Sequence, residues 1–181
     1  MCGIIGYAGH RPAVPVVIEG LHRLEYRGYD SAGLAYAERG GLGVIRAEGK
    51  LVNLEEKLAR EGQAITATCA MGHTRWATHG APCERNSHPH RSNDGALAMV
   101  HNGIIENFQE IKTALGQKGY TFTSDTDTEV LVNLVAECRK SAPDLLHALA
   151  DALRQAHGAY AVCVMDRPNP ALSTPHAWPL P

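Results

Sequence analysis

The apolar positions of the chain repeat with two different periods. Residues 2–8, 31–38, 43–48 and 66–72 are short runs of small and β-branched residues with flanking glycines, and they read as strands. Ala96-Leu97-Ala98-Met99-Val100-His101 and the run from Ala159 to Met165 have the strongest strand pattern. Helical spacing covers 13–24, 53–61, 105–118, 127–140 and 144–157. It is clearest in 127–140, where Val130, Leu131, Leu134, Val135 and Cys138 form one stripe. The preceding Ser124-Asp125-Thr126-Asp127-Thr128-Glu129 is rich in cap formers and early acids, and Ser124 or Asp125 is the expected cap. Gly40-Gly41 joins 31–38 to 43–48 as an antiparallel hairpin. There is no internal repeat. The pattern predicts a mixture of α and β elements up to about Asp166. Five of the ten prolines crowd into 167–181, a density that neither a helix nor a central strand tolerates.

Composition narrows the class. At 181 residues the chain corresponds to roughly one domain, able to bury about 70% of its unfolded surface. A hydrophobic share of 44% against 20% charged excludes wholesale disorder. The net charge of -2 gives no basis for a nucleic-acid or anionic-membrane partner. No apolar run approaches the roughly 18 residues of a membrane span. Met1-Cys2-Gly3-Ile4-Ile5-Gly6-Tyr7 lacks a basic n-region, so the expected compartment is the cytoplasm. Cys2, Cys69, Cys83, Cys138 and Cys163 are odd in number and widely spaced, neither a disulfide framework nor a zinc knuckle. Cys83, His88 and His90 lack a second cluster at metal-ligand spacing, so no metal is expected. The glycines of 2–9 are not followed by G-K-[ST], so they form no phosphate loop, and no cofactor is implied.

Four segments are chemically unusual. Removal of Met1 would leave Cys2 with a thiol and an α-amine on one residue, and that amine titrates near pH 7.7–8.0, about where a base for its own thiol is needed. The bland alternative is a small apolar residue opening a strand. His73-Thr74-Arg75-Trp76-Ala77-Thr78-His79-Gly80 offers a guanidinium fork for a carboxylate and an indole able to exclude water. The alternative is a polar surface loop. Asn102-Gly103 places two neutral N–H donors side by side, fit for a developing oxyanion, or is simply a turn. An Asp within Ser124–Glu129 can receive an ammonium group, or cap the helix.

Cys2-Gly3-Ile4-Ile5-Gly6-Tyr7, Leu24–Gly33 with its Arg27-Gly28-Tyr29-Asp30-Ser31, Arg75–Gly80, His88-Pro89-His90, His101–Asn107, Ser124–Glu129 and Gly158-Ala159-Tyr160 occur in one family's order. From Met1 to about Asp166 the chain resembles the N-terminal glutaminase domain of the glutamine:fructose-6-phosphate aminotransferases, a class II, Ntn-type glutamine amidotransferase. Amidophosphoribosyltransferases share the N-terminal cysteine and an Arg-Gly-x-Asp-Ser segment. Arg-Gly-Tyr-Asp-Ser and Thr-Arg-Trp-Ala-Thr-His-Gly resemble the sugar-phosphate branch instead.

The resemblance implies an α+β Ntn-hydrolase fold, an αββα sandwich of two antiparallel sheets between helix layers. It implies L-glutamine as substrate, Cys2 as nucleophile and its α-amine as base, with Asn102 and Gly103 as the oxyanion hole. Arg75 would take the α-carboxylate and Asp127 the α-ammonium. Trp76, Thr78 and His79 would belong to a closing loop, and Arg27 would lie near the nucleophile. Full-length members add a sugar-phosphate isomerase region, absent from these 181 residues, and are expected to be homodimers. In the family further strands and a helix follow the Gly-Ala-Tyr strand. The expectation is therefore a partial glutaminase domain over 1–166, incomplete at its C-terminus, and an unstructured Pro-rich tail over 167–181. Two readings stand: a working glutaminase, or a catalytically empty remnant that binds a partner at most.

Overall fold

The computed structural model describes residues 2–38, 40–60, 65–76 and 81–167. In chain order its elements are β1 (Gly3–Ala8), α1 (Ala13–Leu24), β2 (Ser31–Glu38), β3 (Gly41–Glu48), α2 (Leu51–Arg60), β4 (Cys69–Arg75), β5 (His90–Arg91), β6 (Leu97–Gly103), α3 (Phe108–Gln117), α4 (Asp127–Arg139), α5 (Leu145–Gln155) and β7 (Tyr160–Asp166). The strands form two antiparallel sheets, ordered β1-β4-β2-β3 and β5-β6-β7.

Side chains two apart on a strand face the same way, so each sheet has two apolar faces to cover. Ala32 and Leu34 of β2, with Ile45 and Ala47 of β3, turn outward onto Val17 and Leu21 of α1 and Leu51 and Leu54 of α2. The alternate residues, Ala35, Leu42 and Met71, turn inward and meet Ala98, Val100 and Met165 of the second sheet. The other face of that sheet, Leu97 and Met99, packs against α3, α4 and α5. The result is four layers, αββα, as expected. Among the described residues no helix is long and apolar enough to cross a membrane.

Most boundaries move by a residue or two, but three shifts bear on function. β4 runs to Arg75, not 72. Cys69 and Met71 face the inter-sheet core, and the strand period sets His73 and Arg75 on that same face, so the alternation continues in polar residues that hide it from a hydrophobicity reading. β6 runs to Gly103, pairing Asn102 with Ala161 and Gly103 with Tyr160, so Asn102-Gly103 is strand and not a turn. α3 starts at Phe108, because the Ile105 N–H donates to Asp127 and the Asn107 side chain bonds Gln155 and His157.

The cap of α4 is also corrected. Thr126, not Ser124 or Asp125, accepts from the Glu129 N–H. The Ser124 hydroxyl and N–H both donate to the Glu129 carboxylate, and Asp125 pairs with Arg85. α4 carries no single apolar stripe. Residues 127–136 are buried on every side, because the helix lies between the sheet, α3 and α5. The tail at 168–181 lies outside the described residues.

Candidate active site

β1 is a sheet edge, and its partner β4 sets where Cys2 falls. With Gly3 opposite Thr74, Cys2 emerges beside the end of β4. There the Trp76 N–H donates to Cys2 Sγ at 3.2 Å, and Sγ lies 3.5 Å from the Trp76 carbonyl. Gly28 packs so close to this segment that a Cβ would sit 2.7 Å from the Arg75 carbonyl carbon, which explains a glycine there.

The second sheet brings its own groups to the same place. Asn102 donates from Nδ2 to the Cys2 carbonyl at 3.2 Å, across the space between the sheets. Gly103 follows with φ +123°, and a Cβ there would come within 2.3 Å of the Ala159 carbonyl oxygen. Gly103→Ala is therefore expected to lower stability by at least about 2 kcal/mol, read by denaturant unfolding. An unchanged midpoint would mean that the β6–β7 register tolerates a side chain.

Cys2, Asn102 and Gly103 line one cavity of about 410 Å³, of the size that takes a small molecule. Arg27, Arg75, Trp76 and Asp127 line it as well. Arg75 is buried, and burial works against its charge, opposed by the nearby Cys2, Cys83, Asp30 and Asp127. Asp127 opens α4. Its Oδ2 accepts the Ile105 N–H at 2.9 Å, and its Oδ1 lies 3.6 Å from His101 Nδ1. Two carboxylate oxygens provide about four acceptor positions, so room for a ligand cation remains. The Trp76 ring is 43% exposed and packs edge-on against Tyr29 at 5.2 Å. Its backbone, rather than its indole, touches the thiol. Thr78 and His79 lie outside the described residues. The structure thus brings together seven of the nine residues singled out from the sequence.

Four buried histidines surround the floor of this site and were not recognised as a group. The ring centroids of His73 and His88 lie 4.3 Å apart and tilted, those of His88 and His90 5.1 Å apart and edge-on, and those of His88 and His101 6.4 Å apart and tilted. Threonine hydroxyls hold three of them: Thr126 bonds His90, and Thr128 bonds both His88 and His101. Burial pushes His73 down to about 4 and His90 to about 3, and His88 falls well below its ordinary value for the same reason. His101 is also lowered by burial, with Asp127 pulling the other way. The rings are therefore neutral at pH 7. His88 and His90, weighed above as metal ligands, are engaged by threonines instead. Among the described residues no three His, Cys, Asp or Glu side chains are placed to hold a metal ion. The signal for the cluster was the inward register of His73 on β4, legible only once that strand is extended.

The model of the glutamine amidotransferase domain family matches residues 59–173. The chain is 51% identical over 170 residues to the glutamine–fructose-6-phosphate aminotransferase (isomerizing) of Gloeobacter violaceus, covering 94% of this chain and 28% of that protein. It is 51% identical over 164 residues to the enzyme of the same name from Thermus thermophilus, covering 91% of this chain and 26% of that one. The chain thus spans little more than a quarter of the length of these relatives. Among solved structures, the glutamine phosphoribosylpyrophosphate amidotransferase of B. subtilis superimposes with a TM-score of 0.76 at 29% identity, over 92% of this chain and 35% of that one.

Proposed function

Because the chain belongs to the family of glutamine amidotransferase domains, we propose that it hydrolyses the side-chain amide of L-glutamine to glutamate and ammonia, with Cys2 as nucleophile. The observation that carries this reading is the meeting, in one cavity, of Cys2, the Asn102 amide, Arg75 and Asp127 from both sheets and α4. Arg75 binds the α-carboxylate of glutamine and Asp127 its α-ammonium, which orients the side-chain amide toward Cys2 Sγ.

Removal of Met1 frees the α-amine of Cys2. About 10–15% of such amines are neutral at pH 7, against less than about 0.1% of lysines, which decides in favour of the terminus as base. The amine takes the thiol proton and the thiolate attacks the amide carbon. The oxyanion forms against the Asn102 Nδ2–H and the Gly103 N–H. The α-ammonium returns its proton to the departing nitrogen, and ammonia leaves a γ-glutamyl thioester. Water, deprotonated by the same amine, then releases glutamate. Arg27 adds positive charge beside the reacting sulfur.

We read residues 1–166 as this catalytic unit and 167–181 as a tail outside it. We also read the chain as the glutaminase part of a longer cytoplasmic, homodimeric protein whose isomerase region would aminate fructose-6-phosphate. The test is glutamate release from L-glutamine by the chain carrying an authentic N-terminal cysteine. Any residue left in front of Cys2 is expected to lower the rate at least about 100-fold, because an amide cannot accept the thiol proton. Equal turnover with a blocked terminus would sink the assignment of the amine as base.

A further inference from the structure

We propose that His73 is a positioning residue for the oxyanion donor: its Nε2–H holds the Asn102 amide so that Nδ2 faces the nucleophile. The kinetic consequence rests on the glutaminase reading above; the geometry does not.

The argument begins with a group that has no choice. The Cys2 carbonyl oxygen only accepts, so the Asn102 atom 3.2 Å from it is Nδ2. The other end of the amide, Oδ1, then points at His73 Nε2, 2.9 Å away. Oδ1 also only accepts, so Nε2 carries a proton. His73 is fully buried, and burial keeps the ring neutral, with a single N–H. That N–H is on Nε2, which leaves Nδ1 a bare lone pair. Among the described residues Nδ1 has no hydrogen-bond partner, and the backbone of His101 lies near the ring.

The placement matters because His73 and Asn102 stand on different sheets. β4 carries His73, and its neighbour β1 leads back to Cys2, whereas β6 carries Asn102. The amide is thus held at both ends by the first sheet, one end on the Cys2 backbone and the other on His73. An NH₂ group has two protons, and the Cys2 carbonyl takes one. The second is available to an oxyanion formed at Cys2 Sγ. A rotated amide would turn Oδ1 toward that oxyanion and repel it. Without the His73 donor, a single hydrogen bond remains against that rotation. The ring of His88, packed at a tilt against His73 with centroids 4.3 Å apart, limits movement of the imidazole.

Two measurements test this. In the wild-type chain at pH 7, ¹⁵N NMR of the His73 ring should show a protonated Nε2 and an unprotonated Nδ1; the opposite tautomer overturns the proposal. In the second, His73→Leu should lower kcat for glutamine about 10- to 100-fold, approaching the loss of one oxyanion donor, with KM within about threefold. Alkylation of Cys2 by iodoacetamide, read by peptide mass, should keep its wild-type rate, because displacement at a saturated carbon develops no oxyanion. His73→Gln, whose amide N–H reaches the Nε2 position, should recover kcat to within about fivefold. An unchanged kcat in His73→Leu overturns the proposal. So does loss of alkylation together with turnover and no recovery in His73→Gln, which marks His73 as purely structural. A wild-type chain that releases no glutamate refutes the glutaminase reading alone, and the spectrum still decides the tautomer.

Discussion

Cys2→Ala is expected to lower glutamate release from L-glutamine at least about 10³-fold while folding remains nearly intact. The thiol sits at the end of an edge strand, half-buried, with Sγ engaged by the backbone of Trp76. Removing it deletes the atom that forms the thioester and leaves the sheets, the Asn102–His73 bond and Arg75 in place. Alanine loses little packing, so the change in stability should stay within about 1 kcal/mol. Glutamine should still bind, because Arg75 and Asp127 are untouched. The measurement pairs coupled glutamate detection with denaturant unfolding and a glutamine titration of the variant. Residual turnover above a few per cent would move the nucleophile elsewhere.

Acid is expected to unfold the chain cooperatively between about pH 5 and 4. The histidine cluster is the cause. The folded pKa values of His73, at about 4, and His90, at about 3, lie below the value of 6.5 in the open chain. The folded state therefore binds fewer protons, and the stability is complete above about pH 6.5 and lost as pH falls toward those folded values. Between pH 7 and 5 each such histidine removes about 2 kcal/mol, so these two remove about 4, and His88, lowered by burial, acts in the same direction. Against a domain stability of about 5–15 kcal/mol that loss is a large fraction, and by pH 4 the two histidines remove about 6 kcal/mol. Circular dichroism followed from pH 8 to 4 checks it, with glutamate release measured alongside. A chain still folded at pH 4 would mean that the rings are charged or hydrated in the native state.

The sequence carried the chemistry more fully than its placement. The periodicity of 31–38 and 43–48 determined a hairpin, and that of 127–140 a helix, because those segments are patterned by apolar residues whose spacing is local. The order of the motifs around Cys2, Arg27, Arg75, Asn102 and Asp127 carried the family, and the family carried the site. What it did not carry was the inward register of polar residues. His73 and Arg75 continue β4, and Asn102 continues β6, but a strand whose buried face turns polar no longer alternates in hydrophobicity. The sequence likewise assigned His88 and His90 no structural partner, since only the packed structure sets Thr126 and Thr128 beside them. Ser124 and Asp125 looked like caps because every residue there is a cap former, and the choice of Thr126 was made by Glu129 reaching back to Thr123 and Ser124. By itself the sequence determined most of the strands and helices through local spacing, and the order of its motifs carried the resemblance that implied the four layers and the candidate groups. The tertiary structure decided which end of the Asn102 amide faces the sulfur, because that depends on two hydrogen bonds from residues 29 and 100 positions away in the chain, brought together only when the sheets stack.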